Sequence, residues 1–163
     1  MKKIDNLTKW FLQQKPLKIF LLILLGFPFI IWLFSISYQI NKTTNKRNQL
    51  ENIILGILTL YPLIFFSIFF MNIINITEVN TFEYYEQIRP YTMIAAYCLL
   101  ILTIFAARNY SKYEKLIGIK SYETIVVFFM LYFYIVGVWV LQPKLNEYFN
   151  EKNRERRTTA NNA

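Results

Sequence analysis

Charged residues are absent from four long stretches of the chain, and this segregation constrains the fold more than any other feature. The uncharged stretches cover residues 19–41, 52–77, 90–107 and 124–143, each 18 to 26 residues long. The 18 basic and 10 acidic residues all lie between and around them. About 20 apolar residues at a rise of about 1.5 Å span the hydrocarbon core of a bilayer. Each stretch is therefore a candidate transmembrane segment.

The residue pattern within these stretches favours helices over the strands of a membrane barrel. Barrel strands alternate apolar and polar residues over about ten positions, and the four stretches do not alternate in this way. Inside lipid, backbone N–H and C=O groups must be paired within their own segment, which a helix achieves. We therefore predict an all-α polytopic membrane protein with four transmembrane helices, at about 17–38, 53–75, 91–107 and 124–142.

The length of the chain predicts one folded unit rather than several. In this interpretation residues 1–157 form a single four-helix transmembrane domain, and 158–163 form a disordered tail. The third span is the shortest, and a buried or interfacial helix is the alternative for it. A cleaved signal peptide is the alternative for the first span, although its apolar run exceeds the usual length of about 7–15 residues.

The N-terminal segment has the pattern of an amphipathic helix. Its apolar residues recur at helical spacing, and Pro16 follows as a stop. Its lysines suit the headgroups of an anionic leaflet. We therefore predict an interfacial helix before the first span, with a flexible basic tail as the alternative. The membrane-surface anchor of this helix consists of Lys2, Lys3, Lys9, Trp10 and Phe11.

The basic residues also predict the side of the membrane on which the termini lie. Four crossings place both termini on one side, and cytoplasmic termini divide the 18 basic residues 11 inside to 7 outside. The positive-inside rule therefore favours cytoplasmic termini. The loop 78–89, which holds three acidic residues and Arg89, would then also be cytoplasmic. The rule does not explain the acidic character of that loop.

Composition excludes several classes of function. The chain has no histidine and a single cysteine, Cys98, which removes histidine-based triads, bis-histidine haem ligation and cysteine-rich zinc sites. No predicted span carries a charge at its centre, whereas proton relays and ion-coupled transporters generally need one. The basic residues flank the spans instead of forming one soluble face, so we expect no nucleic-acid binding. We predict no enzymatic activity, no metal and no cofactor.

Two groups of residues are candidates for a functional role. Pro28 and Pro62 lie inside the first two predicted spans, where each proline removes a backbone donor and bends its helix. They mark either ordinary kinks or the wall of a cavity. Glu78, Glu83 and Glu86 form an acidic cluster. This cluster is interpreted as a partner-docking loop or a divalent-cation site, with a solvated loop as the alternative.

A segment near the C-terminus has a distinctive mixture of aromatic, small and polar residues. They are Phe128, Phe129, Tyr132, Phe133, Gly137, Trp139, Gln142, Pro143, Lys144 and Asn146, preceded by Ala-Ala-Arg-Asn at 106–109. This pattern resembles the C-terminal end of small four-span membrane proteins found in Bacteroidetes bacteria. The resemblance covers about a third of the chain. It implies a bacterial source and an inner-membrane location, and it carries no function.

Together these features predict a non-enzymatic integral membrane protein that acts through helix–helix contacts. It would be an accessory subunit of a membrane complex or a homo-oligomer, with the lipid bilayer and a membrane protein or second copy as partners. The alternative is a pore-forming or channel-like effector. We expect it in the bacterial inner (plasma) membrane as a multi-pass protein, with the mitochondrial inner membrane as the alternative.

Overall fold

The computed structural model describes residues 2–24, 26–44, 49–75, 81–116 and 122–161. These residues form seven helices and no strand, which confirms the prediction of an all-α chain over the described ranges. The helices are α1 (Lys2–Gln13), α2 (Pro16–Ile23), α3 (Phe27–Thr44), α4 (Gln49–Asn75), α5 (Thr81–Leu116), α6 (Thr124–Tyr132) and α7 (Tyr134–Asn161).

Two of these helices are long and apolar enough to cross a membrane. Leu50–Asn72 within α4 provides 23 residues, and Tyr84–Lys115 within α5 provides 32. They correspond to the second and third predicted spans. Helices α6 and α7 add a third span if they count as one bent helix. The prediction of four spans is not confirmed, because the chain is interrupted inside both the first and the fourth.

The interruption in the first predicted span lies between α2 and α3. Gly26 has a φ of 83°, a left-handed conformation that glycine adopts without steric cost. Its N–H group donates to the carbonyl of Ile23 at 2.8 Å, closing the end of α2. Pro28 then lies in the first turn of α3, where its missing N–H removes no helical hydrogen bond. Residues 17–38 therefore form two helices, because Gly26 ends one and Pro28 suits the start of the next.

The fourth predicted span is bent through 118° at the junction of α6 and α7. The N–H group of Phe133 donates to the carbonyl of Phe129 at 2.9 Å, so α6 ends with its last hydrogen bond made. Gly137 lies against the carbonyl oxygen of Met130, at a distance that leaves no room for a Cβ atom. The absence of a side chain at Gly137 therefore allows the first turn of α7 to pack on the last turns of α6.

Helix α3 forms the centre of the molecule. Helices α1, α2, α4 and α5 all contact it, and its Trp32, Leu33 and Ile36 are fully buried. Ala106 and Ala107 of α5 are also fully buried. Small side chains allow two helix backbones to approach closely, so these alanines fit the packing of the C-terminal half of α5 in the core.

The last helix extends past the predicted end of the folded domain. Helix α7 continues to Asn161 and so includes residues 158–161, for which the sequence predicts disorder. Residues 151–157 consist mainly of Glu, Lys and Arg, which lose little free energy in a helix. This composition is a physical reason for the extension. Residues 162–163 lie outside the described ranges.

We predict that Gly137→Ala destabilises the protein, because the added Cβ forces the Met130 carbonyl to move. The expected loss in the free energy of unfolding is about 1–3 kcal/mol, the usual cost of overpacking, measured by unfolding in detergent. Gly56→Ala is the matched control, since nothing lies within 4 Å of a Cβ added there. It should leave stability unchanged or raise it by up to about 1 kcal/mol. Equal losses in both variants would contradict a special role for Gly137.

Candidate functional site

The side-chain amide of Gln142 joins three helices in the interior. Its Oε1 accepts a hydrogen bond from the indole Nε1 of Trp32 on α3 at 2.8 Å. Its Nε2 donates to the carbonyls of Phe11, Leu12 and Gln14 at 3.1, 3.1 and 2.9 Å. The last carbonyls of a helix have no partner within that helix. Gln142, which is fully buried on α7, therefore caps the C-terminal end of α1.

Asp5 holds the opposite end of α1 against the end of α3. Its carboxylate accepts hydrogen bonds from Lys42 and Lys9, each at 2.8 Å, and from the Nε2 of Gln39 at 2.9 Å. The same Nε2 donates to the hydroxyl of Thr8 at 2.6 Å. Burial raises the pKa of Asp5, but the hydrogen bonds from Lys42, Lys9 and Gln39 lower it by more. The pKa of Asp5 therefore lies well below its ordinary value, and the carboxylate stays ionised.

A second carboxylate joins the end of α5 to the start of α6 and to α7. Glu114 is almost fully buried, with 1% of its side chain exposed, and it accepts a hydrogen bond from Lys144 at 3.1 Å. Its other oxygen accepts the backbone N–H of Tyr122 at 2.9 Å. The ammonium group of Lys144 also lies 4.4 Å from the centre of the Tyr122 ring. One lysine and one backbone donor thus compensate the buried charge of Glu114.

These contacts form a polar layer between the helices, which extends from Lys42 at the end of α3 to Trp32 nearer the start of α3. We define the polar layer as Asp5, Gln39, Lys42, Glu114, Gln142 and Lys144. The oppositely charged groups pair within the layer, so its chemistry holds helices together. Among the described residues, no three His, Cys, Asp or Glu side chains are grouped as metal ligands.

An apolar cavity of about 430 Å³ lies where α3, α5 and α6 meet. The hydroxyl of Thr103 donates to the carbonyl of Leu99 at 2.8 Å, so its polar group is already used within α5. The cavity suits apolar material such as a lipid chain. Its lining residues are Phe29, Met93, Ala96, Tyr97, Leu99, Leu100, Thr103 and Tyr132.

The predicted anchor residues of α1 separate into two faces. Trp10 is exposed, as are Ile4 and Leu7 on the same face. Phe11 instead is 5% exposed and packs in the core. Lys3 is exposed and Lys9 is bound to Asp5, whereas the side chain of Lys2 lies outside the described part. The anchor prediction therefore includes one residue, Phe11, whose position on α1 turns it toward the interior.

The two predicted prolines lie on different helices, and only one of the three predicted glutamates has a side chain within the described residues. Pro28 is at the start of α3, and Pro62 is buried within a continuous α4. Glu86 is exposed near the start of α5 and lies 3.7 Å from Arg89. Glu78 and the side chain of Glu83 lie outside the described residues.

The polar layer was not predicted as a site, although each of its central residues left a signal in the sequence. Gln142 is an amide within an otherwise largely apolar stretch, and Asp5 is the one acidic residue among five basic residues in 1–18. Glu114 is surrounded by lysines in sequence, which concealed its burial. Sequence alone does not show which residues face one another across helices.

The chain matches no protein-family model, no curated protein and no solved structure. The resemblance to Bacteroidetes membrane proteins therefore stays a prediction.

We predict that Gln142→Leu strongly destabilises the attachment of α1. The substitution leaves the Trp32 indole and the Leu12 carbonyl without the partner that they now have, at a cost of about 1–3 kcal/mol for each buried unsatisfied group. The carbonyls of Phe11 and Gln14 each lose one of two partners. Thermal unfolding in detergent and the rate of proteolysis within α1 measure the loss. Asn146→Leu is the control. It removes a 3.1 Å bond to the carbonyl of Gln14, which keeps Gln142 as a donor, and an exposed 2.7 Å bond from Asn150. A similar loss in both variants would contradict the central role of Gln142.

We predict that acid weakens the contact of α1 with α3. The pKa of Asp5 is lower in the folded protein than its ordinary value of about 3.9. The stabilisation is therefore complete above that value and is lost as the pH falls toward the folded pKa. Asp5→Asn should lower the melting temperature at pH 7, and its difference from the parent should shrink below about pH 4. A constant difference in melting temperature between Asp5→Asn and the parent across this pH range would refute the prediction.

Proposed function

We propose that this protein is an integral membrane protein that acts through helix–helix contacts, without catalytic chemistry of its own. The outer face of α4 carries the proposal. Seven aliphatic side chains recur along it at intervals of three or four residues, and each is 55% to 67% exposed. They are Leu50, Ile53, Ile57, Leu60, Ile64, Ile68 and Met71.

The spacing of this α4 face is that of a packed helix pair. Intervals of three and four residues keep side chains on one seam between two helices. In lipid, helix association depends on close packing, because the hydrophobic effect does not drive it. The exposed aliphatic face of α4 therefore supports the packing of another helix against it. That helix belongs either to a second copy of this chain or to a larger complex in which this chain is an accessory subunit.

The exposed face of α1 supports a position on a membrane surface. Ile4, Leu7 and Trp10 are three residues apart and between 41% and 49% exposed. The ammonium group of Lys18 lies 4.9 Å from the centre of the Trp10 ring. A lysine beside an exposed tryptophan is suited to the level of anionic headgroups. We place the protein in the bacterial inner membrane as a multi-pass protein with cytoplasmic termini.

Cross-linking through α4 tests the proposed function. In a Cys98→Ala background, Ile57→Cys and Ile64→Cys lie two turns apart on the α4 face, and Ile101→Cys on α5 is the exposed control. A thiol-reactive photo-crosslinker in native membranes should give an adduct from the α4 positions and much less from Ile101→Cys. An adduct of two 19.6 kDa chains indicates self-association, and another mass indicates a partner subunit.

Two outcomes of the same cross-linking experiment would overturn the proposal. If no protein adduct forms at Ile57→Cys or Ile64→Cys, or if Ile101→Cys gives as much, the α4 face contacts lipid alone. The pore-forming alternative stays a prediction. Ion flux into liposomes that contain the purified protein would favour it.

A further inference from the structure

We propose that the chain crosses the bilayer only twice, with α4 and α5, while α2–α3 and α6–α7 enter from one leaflet as re-entrant hairpins and return to it. This inference rests on the proposed membrane location. It replaces four crossings with two. The basic segments 1–18, 42–51, 108–123 and 144–157 then form one surface that faces an anionic leaflet.

The α6–α7 hairpin carries the first argument. Tyr122 precedes the bend at Phe133 by 11 residues, and Lys144 follows it by 11. The Lys144 ammonium group nevertheless lies 4.4 Å from the Tyr122 ring, and Glu114 binds both residues. The ends of a transmembrane segment are about 30 Å apart. The two ends of this hairpin therefore lie at the same level, which a crossing does not allow.

The N-terminal helices form a second hairpin with α3. Asp5 contacts Lys42, ten residues beyond Trp32 on α3. Gln142 joins Trp32 to the carbonyl of Gln14. From Asp5 in α1 to Gln14 just beyond it, the chain thus passes α3 from its end toward its start. Helix α2 then leads to the turn at Gly26, where the chain reverses into α3. The base of this hairpin is fixed by the ion pair of Asp5 with Lys42.

The tips of the two hairpins meet beside the middle of α5. The rings of Phe29 and Tyr134 are 5.8 Å apart, and Phe29 and Tyr132 line the same cavity with residues 93–103 of α5. The nine residues of α6 extend about 13 Å at 1.5 Å per residue. That length is less than half of a hydrocarbon core about 30 Å thick. The hairpins therefore end near the middle of the bilayer.

The backbone at both tips is suited to a position in lipid. Turns are tolerated at membrane depth only where protein contacts satisfy their polar groups. At the first tip, the N–H groups of Gly26 and Phe29 donate to the carbonyls of Ile23 and Gly26. At the second tip, the carbonyl of Phe133 accepts from Val136 at 2.8 Å. Local hydrogen bonds thus satisfy these polar groups where lipid offers no partner.

The charge distribution carries an independent argument. Two crossings place segments 1–18, 42–51, 108–123 and 144–157 on one side, and these hold 17 of the 18 basic residues. The other side receives segment 78–89, which carries three glutamates and one arginine. Four crossings divide the basic residues only 11 to 7. The positive-inside rule thus favours two crossings much more strongly, and the acidic loop falls on the outer side, where the rule permits it.

Single cysteines at five exposed positions test this arrangement. In the Cys98→Ala background, the substitutions are Lys3→Cys, Thr43→Cys, Gln87→Cys, Lys112→Cys and Glu147→Cys. A membrane-impermeant maleimide is applied to intact cells and then after permeabilisation. We expect Gln87→Cys to react in intact cells. The other four should react only after permeabilisation.

Each other partition of the five cysteines has a distinct meaning. Four crossings would place Lys3→Cys, Gln87→Cys and Glu147→Cys opposite Thr43→Cys and Lys112→Cys. Three crossings, with α6–α7 as one span, would move only Glu147→Cys to the side of Gln87→Cys. Three crossings, with α2–α3 as one span, would move only Lys3→Cys to that side. Each of these patterns overturns at least one re-entrant hairpin. The expected partition with its sides exchanged upholds two crossings and overturns the cytoplasmic placement.

Membrane insertion itself is tested separately from the number of crossings. Release of the parent chain from membranes by alkaline carbonate would contradict the proposed function and would remove the basis of this inference. Retention in the membrane with a four-crossing pattern would overturn this inference alone. Equal thermal stability of the five variants and the parent verifies that the fold is retained.

Discussion

The buried amide of Gln142 is the interaction on which the arrangement of the helices depends. It binds the Trp32 indole on α3 and the last carbonyls of α1, so one side chain links α1, α3 and α7. A polar group transferred out of water without a partner costs several kcal/mol. The helices must therefore meet in the orientation that satisfies this amide, and α1 is held against α3 and α7 rather than left free in solution.

The rest of the polar layer follows the same rule with charges. Asp5 and Glu114 are each paired with lysines, and each pair joins segments that are distant in sequence. Glu114 is buried, so removing Lys144 would leave an uncompensated charge, which is strongly destabilising. These pairs therefore fix which helix ends lie at the same level. The proposed hairpins follow from the position of these helix ends at one level. The apolar cavity lies at the tips of the hairpins.

Several features of the fold could be predicted from residue order alone. The uncharged stretches at 52–77 and 90–107 correspond to α4 and α5, because a continuous apolar run in lipid has no better state than a helix. The helical spacing before Pro16 corresponds to the helix α1, and its interfacial position stays a prediction. The breaks within 19–41 and 124–143 could not be predicted in the same way. Gly26 ends its helix through a positive φ, and Gly137 allows a close approach to Met130. Composition reveals neither the positive φ nor the close approach.

The sequence by itself determined that this protein is helical and that it holds four long uncharged apolar runs, two of which form continuous helices long enough to span a membrane. Only the tertiary structure decided how the other apolar segments are used. Their direction depends on contacts between residues far apart in the chain, such as Tyr122 with Lys144 and Asp5 with Lys42. The pairing of buried polar groups across helices is specific to the fold, and hydropathy along the sequence does not contain it.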